Sequence, residues 1–113
     1  LLWAGGAGSL EVAPGVKLID DPHFPDAWKP EANAQGKALD VFRASRTEVD
    51  WTYVSPAALI EGGERSGRYR LGGDRLLVDA NGVSRITVAD YAVALLDRIE
   101  KHDALRQRIT VAY

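Results

Sequence analysis

The stretch from Val49 to Val54 constrains the fold more than any other part of the chain. Val49, Trp51, Thr52, Tyr53 and Val54 are β-branched or aromatic, and this predicts a strand. Apolar groups fall on both of its faces. A strand with one wet face alternates apolar and polar residues, so this one suits the interior of a parallel sheet covered on both sides. Pro56 closes it.

The surrounding segments predict what does the covering. Leu1 to Ala4 is an apolar run that reads as a buried strand, ended by Gly5-Gly6-Ala7-Gly8-Ser9. Leu10 to Ala27 reads as irregular, punctuated by Pro14, Gly15, Pro22 and Pro25. A connection that long inside a compact domain is usually functional or a lid. Pro30 suits the first position of a helix, with Glu31 beside it and Ala34, Ala38, Val41 and Phe42 as an apolar stripe ending near Ser45. Gly67 to Leu71 and Leu76 to Val78 read as short strands around Gly72-Gly73, and Asn81-Gly82 is a turn leading to Ile86. Thr87 and Asp90 resemble a capping box. The helix they open presents Val88, Tyr91, Ala92, Leu95 and Ile99 to the sheet, and Asp97, Arg98, Glu100 and Lys101 to solvent. Arg108 to Ala112 is a final strand. The order predicts an α/β fold with a parallel sheet: residues 1–61 form a sheet and helix portion, 62–86 a small β extension, and 87–113 the last helix and strand.

Composition narrows the function classes. The 113 residues carry a net charge of -2, without the basic excess that phosphate contacts in nucleic acid require. No apolar run is long enough to span a bilayer. There is no cysteine, which removes disulfides and thiolate metal sites and is compatible with a reducing, cytoplasmic setting. There is also no methionine, and the chain opens directly on a predicted strand. The expectation is that further sequence precedes Leu1.

No single motif carries chemistry. Gly6-x-Gly8 follows a strand, but the third position of a dinucleotide fingerprint is Glu11, and Pro14-Gly15 stands where a helix should start. The turn still lies at the carboxyl edge of a parallel sheet, where α/β proteins bind ligands. His23 and His102 lack metal-ligand spacing, and both read as surface residues. Asp20, Asp21 and Asp26 read as a solvated loop rather than a metal site. Ser9 has no adjacent base. Arg65, Arg68, Arg70 and Arg75 could hold a phosphate or carboxylate, yet Glu61, Glu64 and Asp74 are interleaved with them, as in an exposed mixed-charge hairpin.

Five stretches together resemble one family: Gly5 to Leu10, Asp50 to Ala58, Gly63 to Tyr69, Ile86 to Ala92, and Ile109-Thr110-Val111-Ala112-Tyr113. The chain resembles the carboxy-terminal part of the NAD(P)H-binding atypical short-chain dehydrogenase/reductases. That group includes NADH-flavin reductases and is similar to biliverdin reductase B and NmrA-like proteins. The resemblance implies a Rossmann-type parallel sheet with a small β extension on the substrate side, Glu64 to Tyr69 belonging to the extension. It implies NADP or NAD as cofactor. Gly5, Gly6 and Ala7 would lie beside the nicotinamide, and Ser55, Pro56 and Ala57 would contact its carboxamide side. Ser9 would be the candidate catalytic group. The family's phosphate-binding loop has no match here, so the chain alone is expected to be inactive.

The helix before Val49 holds no Tyr-x-x-x-Lys pair, which departs from tyrosine-driven dehydrogenases. A reductase of flavin-like small molecules needs less protein acid chemistry and fits better. The alternatives are a non-catalytic NAD(P) sensor of the NmrA-like kind and a relative of sugar-nucleotide epimerases. If the chain is isolated by itself, an exposed edge at Leu1 to Ala4 predicts homodimerisation or aggregation.

Overall fold

The structure, a computed structural model, describes residues 1–113. Its centre is a four-stranded sheet. The strands are β1 (Leu2–Ala4), β4 (Thr52–Ser55), β8 (Gln107–Ala112) and β6 (Arg70–Gly72), in that spatial order. β1, β4 and β8 are parallel, while β6 runs antiparallel along β8. β4 is buried throughout, as a strand apolar on both faces requires. Its regular pairing starts at Thr52, and Val49 is exposed ahead of it.

Alternation along β4 and β8 divides the core in two. Tyr53 faces the helix α1 (Lys29–Ala44), where Leu39, Trp51 and Tyr53 are buried together and Phe42 packs beside them. Val54, Ile109 and Val111 face the other way, into a cluster that includes Ile86 and Ala94 of the helix α2 (Val88–Lys101) and its approach. A helix therefore covers each face of the parallel sheet, as the α/β reading requires.

Several local expectations are corrected. Trp3 of β1 is partly exposed rather than buried, while the open edge expected at Leu1 to Ala4 is present, since β1 pairs with β4 on one side. The stretch after Leu10 contains a small antiparallel pair, β2 (Glu11–Ala13) and β3 (Val16–Lys17), turning at Pro14-Gly15, where Gly15 has a positive φ. Two single 3-10 turns, Leu18–Asp20 and Asp26–Trp28, follow. The packed side of α1 is Ala32, Gln35, Leu39 and Phe42. The stacking of Phe42 on Trp51, 5.3 Å between centroids, sets its rotation and turns Val41 and Ala34 outward.

Just ahead of the extension, Leu59–Glu61 forms β5, which pairs in parallel with β7 (Arg85–Thr87) at the extension's far end. Leu76 to Val78 is no strand: the Leu76 N–H donates to the Glu11 carbonyl, and Leu77 packs against the core beneath Gly72. The Asn81-Gly82 turn forms, but the Asp79 carboxylate closes it by accepting from the Asn81 and Val83 N–H groups, so no hairpin ladder is needed.

α2 differs most from its predicted face. Of the expected face, Tyr91 and Leu95 pack against the core, but Val88, Ala92 and Ile99 are exposed, and the buried residues are Asp90, Ala94 and Arg98. Half of the capping box forms: Thr87 Oγ1 accepts from the Asp90 N–H at 3.1 Å. The Asp90 carboxylate turns instead to the extension.

Candidate functional site

The parallel strands β1 and β4 end side by side, at Ala4 and Ser55, and the chain leaves both through small residues. Between these exits lies a cleft of about 310 Å³. Gly5 to Gly8 line it from β1, and Pro56 and Ala57 from β4. Glu31 and Gln35 of α1 and the rings of Phe24 and Trp28 contribute to the wall. Five of the seven residues expected to bind or act here, Gly5, Gly6, Ala7, Pro56 and Ala57, thus meet in one place.

The turn is drawn tightly onto the protein. The Gly5 N–H donates to the Val54 carbonyl at 2.9 Å, and the Gly6 N–H to the Tyr53 hydroxyl at 3.0 Å. That hydroxyl donates onward to the Gln35 carbonyl at 2.9 Å. A Cβ on Gly5 would fall within the Tyr53 ring, and one on Gly8 would lie 2.9 Å from the Ala32 side chain. These glycines are needed for close approach to the strand and helix beneath. Burial pushes the Tyr53 phenol above its ordinary pKa against the opposing pull of the Gly6 N–H, so it stays a neutral donor. The N–H groups of Ala7, Gly8 and Ala57 donate to no protein acceptor. The cleft therefore offers a glycine-lined floor with spare backbone donors, and the carboxylate of Glu31 stands on its wall.

The two serines lie elsewhere. Arg108 is buried on β8, on the same face as Tyr53. Its Nη1 donates to Ser9 Oγ at 2.8 Å and to Ser55 Oγ at 3.3 Å, and its Nε to Asp74 Oδ1 at 2.8 Å. Arg43 of α1 reaches the same Asp74 oxygen at 2.8 Å. Burial raises the Asp74 pKa, but the two guanidiniums outweigh it and hold it below the ordinary carboxylate value. Ser9 lines a separate pocket of about 160 Å³ with Lys37 and Asp40. Its hydroxyl is already engaged by Arg108. Arg108 itself was invisible in the sequence, where it reads as the first residue of a strand.

The extension is held by a second polar cluster. Asp90 is fully buried. It accepts from the Ser66 and Gly67 N–H groups at 2.9 and 2.8 Å, from Ser66 Oγ at 2.7 Å, and from the Tyr113 hydroxyl. Desolvation would raise its pKa, but the bonds from Tyr113, Ser66 and Gly67 prevail and hold it at about 2. Beside it opens the largest pocket, about 690 Å³, lined by Arg68, Arg70, Arg85, Glu61 and Glu64 among others. Most of that charge is spent internally. Arg70 donates to the Val78 and Tyr113 carbonyls, and Arg85 lies over the Tyr113 ring with Glu61 at 3.8 Å. His23 pairs with Asp21, and His102 closes α2 in the left-handed conformation. No group of three or more His, Asp or Glu residues is placed to hold a metal. No helix is long and apolar enough to cross a membrane.

A parallel sheet covered on both faces, with a glycine-lined cleft at its strand ends, defines a Rossmann-like nucleotide-binding α/β protein. Residues 1–98 match the family model described as NAD(P)H-binding, and the chain belongs to that family. NAD or NADP is the family's cofactor. The chain is 42% identical over 114 residues to the YwnB protein of Bacillus subtilis. Solved structures agree. A candidate epimerase from Bacteroides thetaiotaomicron is 42% identical with a TM-score of 0.94, aligned over 99% of this chain and 52% of its own. A candidate NADH-flavin reductase from Streptococcus pneumoniae is 39% identical with a TM-score of 0.89, over 98% and 54%. A protein from Burkholderia pseudomallei described as exported is 49% identical with a TM-score of 0.92, over 99% and 54%. The chain spans about half the length of the relatives it matches, 53% for the Bacillus protein.

Proposed function

We propose that the cleft between Gly5–Gly8 and Pro56-Ala57 receives the nicotinamide end of NAD(P)H, and that the protein at its natural full length reduces a flavin-like conjugated acceptor. The observation that carries this reading is the cleft floor: glycines pressed onto Tyr53 and α1 at the carboxyl ends of two parallel strands, with the N–H groups of Ala7, Gly8 and Ala57 left for a ligand.

The bound cofactor supplies the hydride. The chain's own residues bind and orient: the three free N–H groups are donors for a carboxamide oxygen, and the Tyr53–Gly6 bond fixes the height of the turn. Ser9 enters as a positioning residue, because its hydroxyl accepts from Arg108 and so ties the end of the turn to β8. Ser55 is tied in the same way. No Tyr-x-x-x-Lys pair supplies a proton relay, which suits an acceptor that takes its proton from solvent. The same absence favours the second reading, a nucleotide sensor without turnover. The likeness to a candidate epimerase keeps sugar nucleotides in the assay. A cytoplasmic setting belongs to the proposal, with cell fractionation as its check. Self-association of the 113-residue chain, when isolated by itself, through the side of β1 away from β4 also belongs to it, and light scattering tests this.

The test is NAD(P)H oxidation by the full-length protein with flavins, quinones and sugar nucleotides in turn. Oxidation that requires a conjugated acceptor supports the reductase. Saturable NAD(P)H binding with no turnover across the panel would replace it with the sensor. Turnover of sugar nucleotides alone would replace it with the epimerase relative.

A further inference from the structure

The cleft does not end at the glycine turn. A second lobe of about 250 Å³ adjoins it, and the two share Leu18, Phe24, Trp28 and Ala58 on their walls. Pro25 and Leu59 close the second lobe on its apolar side, and Asp21 and His23 mark its one polar edge. Phe24 and Trp28 stand nearly perpendicular, 84° apart with centroids 6.1 Å from each other. Trp28 is 52% exposed and, with Phe24, Pro25 and Leu59, contributes to one apolar wall rather than standing alone.

The chain spends much sequence on this wall. Strand-to-helix connections in α/β units commonly need about 2–6 residues. Here Gly5 to Trp28 separate β1 from α1, and the later part of that connection delivers both aromatics. Two short turns fix them: the Phe24 N–H donates to the Asp21 carbonyl at 2.9 Å, and the Trp28 N–H to the Pro25 carbonyl at 3.0 Å. Each lobe alone is at or below the small end of ordinary ligand pockets, while joined they fall within that range.

We infer that the lobe walled by Phe24 and Trp28 is the acceptor site, and that its occupant is a planar conjugated heterocycle with apolar faces and one polar rim. This rests on the reading that the adjoining cleft holds the nicotinamide, which would put the two rings in neighbouring lobes. An aromatic wall suits such a ligand, because stacking is sequence- and substituent-tolerant and costs little ordering. The Asp21–His23 pair faces the ligand's rim, where hydrogen bonding sets its orientation. The pocket of the extension suits such a ligand less well, since it is lined mostly by charged and polar groups and only two of its residues are aromatic, Tyr69 and Tyr113.

The experiment uses the full-length protein and lumiflavin, a tricyclic probe without phosphate, titrated in the absence of NAD(P)H and followed by flavin fluorescence and calorimetry. Trp28→Ala should weaken lumiflavin binding by about 10-fold, in the range of a lost stacking contact, while Trp28→Phe stays close to the parent. Circular dichroism on each variant verifies the fold, and Phe24→Leu offers a second probe of the same wall. Unchanged lumiflavin affinity in folded Trp28→Ala and Phe24→Leu would overturn the assignment, even if flavin reduction by the parent protein is robust. Loss of lumiflavin binding in Trp28→Ala would uphold the site, even if the parent protein turned over no acceptor at all.

Discussion

The cleft at the strand ends and the cluster around Asp90 are built on opposite plans. The cleft uses backbone and small residues; its close contacts are glycines against Tyr53 and Ala32, and its one fixed hydroxyl is neutral. The Asp90 cluster uses side chains. A single buried carboxylate gathers two N–H groups and two hydroxyls from Ser66, Gly67 and Tyr113, and so fastens the extension to the start of α2. The first arrangement leaves donors for a ligand. The second uses them all. That contrast separates a binding surface from a structural clasp, although the larger pocket lies beside the clasp.

The largest effect should come from breaking the clasp. Asp90→Ala empties a fully buried site and strands two N–H groups and two hydroxyls, and should cost about 3 kcal/mol in urea unfolding. A loss under about 1 kcal/mol would mean that the cluster is not a clasp. Its pH dependence has a definite sign. The folded pKa, about 2, lies below the ordinary 3.8, so the contribution is complete above the ordinary value and lost as pH falls toward 2. Parent protein should therefore lose stability across that acid window more steeply than Asp90→Asn, and parallel curves would contradict the assignment.

Arg108 links the two plans, since it joins Ser9 and Ser55 near the cleft to Asp74 in the extension. Arg108→Met should cost about 2 kcal/mol, because Asp74 is half exposed and can rehydrate. It should also raise the KM for NAD(P)H with a smaller change in kcat, as expected for a positioning residue. A change in kcat alone would instead give Arg108 a direct part in the reaction.

Tyr53→Phe frees the Gly6 N–H and should cost about 1 kcal/mol, with NAD(P)H affinity reduced several-fold. Ser9→Ala should have the smallest effect, within about 1 kcal/mol and about 3-fold in kcat, since Arg108 keeps its other partners. A collapse of kcat in folded Ser9→Ala would restore Ser9 as a catalytic residue.

What was legible in the sequence follows the same division. Patterning along Val49 to Val54 required a covered parallel strand, and small residues after Ala4 and Ser55 marked the strand ends. Both signals are local. The face of α2 departs in part from its hydrophobic pattern because Asp90 and Arg98 are drawn inward by polar bonds to distant residues, which periodicity cannot register: Asp90 meets Ser66, and Arg98 Nη2 meets the Tyr69 hydroxyl. Leu76 to Val78 looked like a strand by composition, but β8 already pairs with β6 on that side. The aromatic wall of the cleft was equally hidden, since nothing local brings Phe24 and Trp28 to Ala58. Proline spacing in that connection was the only hint that the loop had a task.

The central claim is that the nicotinamide end of the cofactor lies on the floor made by Gly5 to Gly8 and Ala57. Amide chemical-shift mapping of the full-length protein tests it most directly, with saturating NADPH compared against 2′-phospho-ADP-ribose, which lacks the nicotinamide. The account predicts shifts at Gly5, Gly6, Ala7 and Ala57 with NADPH that the truncated ligand does not produce. Saturation by NADPH that leaves those four amides unmoved would contradict it.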